Sequence, residues 1–160
     1  MGIKNYFELD IDCVLGYDEV LKLRNVIENI VGWQSIPVWH PNRGLKDFTK
    51  TCKDYKYIAL GSFGKVGAKK DCYMKFFVDE AHRNNAKIHG LGYTKTFTLD
   101  KINFDSVDST TWLSCTRFGH LVIFDGCKIK NINKEGMYRK TGKTNNYNFM
   151  EHGLKEWIKF

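Results

Sequence analysis

The chain has 160 residues, 42% hydrophobic and 14% aromatic, with a formal net charge of +7. That length and composition exclude a disordered chain and predict a single folded domain spanning residues 1–160. No apolar run is long enough to span a bilayer, so no membrane contact is expected.

The opening MGIKNYFELD lacks the apolar core of a secretory signal, and Tyr6 breaks a myristoylation pattern. The five cysteines are Cys13, Cys52, Cys72, Cys115 and Cys127. None has the paired spacing of a structural zinc site, so reduced thiols, a cytoplasmic location, no metal and no cofactor are expected. From Lys128 to Phe160 there are eight Lys or Arg against three Glu. That basic C-terminal part is the candidate contact for tRNA or DNA.

YFELDID (6–12) alternates and then ends in acids, the pattern of a strand with polar residues at its exit. Gly16 breaks it. A helix follows to Gly32, with Asp18 near its start and Val20, Leu23, Ile27 and Ile30 as its apolar stripe. SIPVWH (35–40) is the second strand, and Pro37 makes it irregular or edge-like. PNRGLKDFTKTCKDY is a turn and a short helix. YIALG (57–61) is a strand buried on both faces, followed by the loop SFGKVGAKK.

The next helix carries Met74, Phe77, Val78 and Ala81 at i, i+3, i+4 and i+7. Residues 87–93 form a fourth strand, 98–101 a short helix, and 103–108 a fifth strand. HLVIFDGCKIKNI reads as a hairpin turning at Asp125-Gly126. Residues 133–148 read as a polar loop. NFMEHGLKEWIKF closes the chain as a helix with Met150, Leu154, Trp157 and Ile158 on one stripe.

Strands and helices alternate, which predicts an α/β parallel sheet of (β/α) TIM-barrel type. Nearly every predicted strand ends in residues able to do chemistry. They are Asp10 and Asp12, His40, Gly61-Ser62, His89 with Gly90 and Gly92, then Asp105 and Asp108. Carboxyl ends of parallel strands are where ligands bind, so these residues are the candidate site.

Within that site, a carboxylate pair such as Asp10 and Asp12 suits acid/base or metal work, or bonds to neighbouring loops. His40 and His89 suit a base or a ligand, or a satisfied core position. Asp105 and Asp108 lie three apart, so only one can face a barrel interior; the other would cap Ser109-Thr110-Thr111. Lys65, Lys69 or Lys70 could contact phosphate, although the loop lacks the P-loop spacing. Trp112, Arg117 and Phe118 could stack on a base or pack in the core.

FDSVDSTTWLSCTRFGHLVIFDGCKIKNI resembles the late-barrel segment of tRNA-guanine transglycosylases. That family carries a Phe-Asp-Cys-Val stretch, an Arg-Asn-Gly run and a strand ending in Asp-Gly. YIALGS resembles its Gly-Gly loop, and FELDID its Phe-Asp-Glu-Cys strand. The run HGLG…FDSVDST.W and the ending EWIKF are similar to phage-encoded relatives of this fold, some of which insert 7-deazaguanines into DNA. The resemblance spans residues 5–132.

The resemblance implies a queuine tRNA-ribosyltransferase-like enzyme that exchanges guanine for a 7-deazaguanine. It implies Asp105 as the nucleophile on ribose C1′ and Asp10 as the reader of the guanine edge. Gly61 would bring its backbone to the base, and His40, or Trp39 beside it, stands where the family has a base-reading Gln. The family's zinc cluster and its early Asp-Ser-Gly-Gly-Phe motif have no counterpart. A complete barrel needs about 250 residues, so about five parallel strands predict a partial barrel. A homodimer, a second polypeptide or a longer coding unit would complete it. The alternative function is a non-catalytic interaction or structural protein that keeps the fold.

Overall fold

A computed structural model describes residues 5–61, 70–93, 99, 101–113, 121–132 and 146–160. The chain divides into two compact units, one from Met1–Tyr93 with Lys101–Asp108, the other from Thr94–Asp100 with Ser109–Phe160. The first unit is a parallel α/β sheet; the second is built on an antiparallel hairpin. Among the described residues, no helix is long and apolar enough to cross a membrane.

In the first unit, helices α1 (Asp12–Leu15) and α2 (Tyr17–Val31) precede strand β1 (Val38–Trp39). Helix α3 (Gly44–Asp54) leads to β2 (Tyr57–Leu60), and α4 (Lys70–Arg83) leads to β3 (Lys87–Gly90). Strand β4 (Ser106–Val107) completes a parallel sheet in the order β1-β2-β3-β4. Among the described residues each strand adds beside its predecessor, without the reversal of strand order that marks a doubly wound sheet.

The expected first strand, 6–12, is reduced to one parallel bridge, Phe7 to Ile36. The cause is local: Ile11 N–H donates to Leu9 O, and Asp12 opens α1, so the chain turns before a ladder can extend. Pro37 has no N–H and falls between that bridge and β1, where its carbonyl accepts from Ala59 N–H (2.8 Å). The strand is irregular there, and β1 is the outermost strand of the four-stranded sheet, with the isolated Phe7–Ile36 bridge beyond it.

The register places Trp39, Ile58, Leu60 and Ile88 on one face. Helices α3 and α4 cover that face with an aromatic cluster. Trp39, Phe48 and Phe77 have ring centroids 4.8–5.0 Å apart. The stripe of α4 behaves as its spacing predicts, with Met74, Phe77, Val78 and Ala81 all buried. The stripe of α2 does so in part: Val20 is buried and Leu23 and Ile27 are half-buried, but Ile30 is 79% exposed, while Arg24 is only 6% exposed beside Val20.

The opposite face carries Ile36, Val38, Ala59, His89 and Ser106. Phe7, beyond β1, meets the His89 ring at 5.0 Å between centroids. Those positions are three strand spacings apart, roughly 14 Å in a flat sheet. Two side chains that meet across that span lie on the inside of a curved sheet, so this face is concave.

In the second unit, β5 (Leu121–Phe124) and β6 (Ile129–Ile132) pair antiparallel, and helix α5 (Asn146–Lys159) packs on β5. The turn is built on Asp125, whose Oδ1 accepts the N–H groups of Cys127 and Lys128 while Oδ2 pairs with Lys130 (2.6 Å). Lys130 and those two N–H groups hold the Asp125 carboxyl well below the usual range. The polar loop expected over 133–148 ends sooner, because α5 already begins at Asn146; the rest lies outside the described residues.

The buried face of α5 is also not the expected one, since Leu154 and Ile158 are exposed. Instead Glu156 accepts Phe124 N–H (2.8 Å) and His152 Nε2 donates to Val122 O (2.8 Å). The outer edge of β5 leaves those backbone groups open, and polar side chains answer them better than an apolar stripe.

Candidate functional site

His40 follows β1 directly, and Pro41 then turns the chain into a 3-10 turn, Pro41–Arg43. The imidazole therefore stands at the carboxyl edge of the sheet. Its Nε2 lies 2.7 Å from Asp10 Oδ1. The ring rests on Gly61, just past β2, where an added Cβ would fall 2.3 Å from His40 Cε1. Gly61 is thus required by close approach. Gly61→Ala should expel the imidazole and break the Asp10 contact, at a cost of about 1–3 kcal/mol. A denaturation series tests this. The double variant with His40→Ala should be less destabilised than additivity predicts; strict additivity would show that the two residues do not touch.

Asp12 completes the group. Its Oδ2 accepts from Arg43 Nη2 (2.8 Å), and that hydrogen bond holds the Asp12 carboxyl below its usual range. Arg43 also donates to Val38 O (2.6 Å) and stacks 4.0 Å from the centroid of the Tyr17 ring. Asp10, Asp12 and His40 each offer a ligand atom within 4.8 Å of the others, a donor set that suits a hard divalent cation. Each of the three also has a partner within the chain.

Beneath this group lies an ion pair that the sequence reading missed. Glu8, 5% exposed, accepts from Arg24 Nε (2.6 Å) and from Val38 N–H (2.7 Å). Arg43 Nη1 stands 3.7 Å from Oε1, the oxygen that accepts Val38 N–H. Burial pushes the Glu8 carboxyl upward, against the opposing pull of Arg24. The available signal was the period of α2, which places Arg24 one turn after Val20 on the inward stripe.

The two late acids separate. Asp108 follows β4 at the carboxyl edge, with its side chain 57% exposed. Its Oδ1 accepts Gly92 N–H (2.7 Å) and lies 3.6 Å from His89 Nε2. Asp105 instead precedes β4, so it does not stand where that strand leaves the sheet. It accepts Ile88 N–H (2.8 Å) and lies 3.0 Å from His82 Nε2, at the end of α4. Alternation puts it on the helix-covered face, opposite Ser106. The structure therefore brings Asp10, Asp12, His40 and Gly61 together, sets Asp108 and His89 on the same edge, and leaves Asp105 at the other end.

Burial alone would raise the Asp105 carboxyl, but the His82 and Ile88 bonds bring it below its usual range. A lowered carboxyl stabilises the fold above the unfolded value near about pH 4 and loses that contribution as pH falls through the folded value. Asp105→Asn should cost about 1 kcal/mol at neutral pH. It should also flatten the acid limb of a stability–pH curve; an unchanged limb would contradict the pairing.

Trp39, the other candidate for a base reader, is 2% exposed in the aromatic core, so it cannot contact a ligand at the rim. Gly90 faces Phe104 and Tyr93, with an added Cβ 3.1 Å from each. Trp112 belongs to the second unit, in a 3-10 turn, Thr111–Leu113. Ser62, Lys65, Lys69, Arg117, Phe118 and the Lys70 side chain lie outside the described residues. A groove of about 510 Å³, lined by Trp33, Ser35, Lys56 and Tyr57 among others, opens at the amino ends of the strands, away from these acids.

No protein-family model, curated protein or solved structure matches the chain.

Proposed function

We propose that the chain is a guanine-transglycosylase-like protein forming part of a (β/α) barrel wall, completed by a second copy or a second polypeptide. It would exchange guanine for a 7-deazaguanine in nucleic acid. The observation that carries this reading is the shared edge. His40 follows β1, Gly61 follows β2 and Asp108 follows β4 at one edge of a concave parallel sheet, with Asp10 against His40 and His89 beside Asp108.

The nucleophile in this reading is Asp108, not Asp105. Its Oδ2 accepts no hydrogen bond among the described residues, and its side chain is 57% exposed. Oδ2 attacks ribose C1′, the C1′–N9 bond breaks, and guanine leaves with that electron pair. The departing guanine takes up a proton at N9; the incoming base attacks C1′ through its ring nitrogen, loses the proton on that nitrogen and releases the carboxylate, so the exchange balances. Asp10, steadied by His40, accepts from N1–H and the exocyclic amine of guanine.

The test is incubation with guanine-containing tRNA or duplex DNA and a labelled 7-deazaguanine base. Label entering either polymer, with guanine released, is the expected result. One observation favours the second reading, a non-catalytic protein that keeps the fold. Asp10, Asp12 and Asp108 each already bond within the chain. Folded protein that releases no guanine from either polymer would select that reading.

A further inference from the structure

We propose that His89 is a positioning residue for Asp108, a neutral imidazole whose Nε2–H is aimed at that carboxylate by a one-way chain from Tyr57 through Ser106. The proposal rests on the reading of Asp108 as the reacting carboxylate.

His89 is 6% exposed on the concave face. Its Nδ1 is hydrogen bonded to Ser106 Oγ, and Ser106 Oγ is also bonded to the Tyr57 hydroxyl. Its Nε2 is buried and has no hydrogen-bond partner among the described residues. The acceptor it approaches is Asp108 Oδ1, at 3.6 Å. Hydrogen bonds of this kind close near about 2.9 Å, so a shift of about 0.7 Å by the exposed carboxylate would complete one.

The direction of the chain follows by elimination. An ionised carboxylate only accepts, so Nε2 must carry the proton. Burial lowers the His89 pKa, which keeps the ring neutral and leaves Nδ1 unprotonated. Nδ1 must then accept from the Ser106 hydroxyl. Ser106 has spent its one proton, so its oxygen accepts from the Tyr57 hydroxyl. Gly92 N–H holds Oδ1, His89 Nε2–H joins it once the carboxylate makes that shift, and Oδ2 is left to react.

Histidine ring 15N spectra of the full chain test the orientation without any substrate. His89→Gln identifies the resonance. The expected spectrum has Nε2 protonated and Nδ1 bare at neutral pH, and Ser106→Ala should release the Nδ1–H tautomer. A wild-type ring with its proton on Nδ1, or on both nitrogens, would overturn the proposal. In base exchange, His89→Leu should lower kcat about 10²-fold with little change in KM, and His89→Gln, which keeps a donor, should recover part of that loss. Leu at wild-type rate would also overturn it. If wild-type protein exchanges no base, the proposed function fails and the positioning role falls with it. The spectrum still decides how the imidazole is oriented.

Discussion

Glu8→Ala should destabilise the first unit by about 3–5 kcal/mol, the cost of breaking a buried ion pair from one side. Arg24 would keep its charge at 6% exposure with its acceptor removed. The Val38 N–H would lose its partner as well. Denaturant unfolding at neutral pH measures this as a lower midpoint at unchanged slope. Replacing both partners, Glu8→Leu with Arg24→Met, should recover most of the loss, because no lone charge then remains inside. A cost below about 1 kcal/mol for Glu8→Ala would mean that water reaches the pair. The effect should spread to the rim, since Arg43 links the Glu8 pair to Asp12 and to the carbonyl of Val38.

On the proposed assignment of Asp108 as the nucleophile, Asp108→Ala should lower base exchange by roughly 10⁴-fold or more. Asp105→Asn should leave the rate within a few-fold, because its carboxylate bonds to Ile88 and His82 on the other face. The contrast between the two variants carries the information, since both lose one acid from the same six-residue stretch. Equal losses would mean that Asp105 reaches the reacting atoms in a way its hydrogen bonds do not allow. Asp105→Asn also separates stability from chemistry, because its predicted cost appears in the unfolding curve and not in the rate.

Local pattern made much of this fold legible. The i, i+3, i+4, i+7 apolar set of α4 is buried as read, and the apolar run of β2 is buried between neighbours on both sides. Asp125-Gly126 marks the hairpin, with Gly126 at φ +95°. What escaped the reading were polar groups doing core work. Arg24 on α2 and Glu156 on α5 sit inward because buried partners, Glu8 and the open edge of β5, require them. Apolar stripes do not register such demands.

The site was legible only in part, for a related reason. Of the acids, histidines and glycines read at strand exits, Asp10, Asp12, His40 and Gly61 lie together in the structure. Around β4, both faces carry polar residues, Asp105 on one and Ser106 on the other, so alternation could not say which faced the concave side. The register decides it, by pairing Ser106 with His89 on the concave face and leaving Asp105 on the other.

The most direct measurement is the intact mass of the protein after incubation with a short guanine-containing RNA or DNA and no incoming base. A covalent adduct on the wild-type chain and on Asp105→Asn, absent from Asp108→Ala, is the predicted result. An adduct that survives in Asp108→Ala, or none in the folded wild-type chain, would contradict a rim built around Asp108.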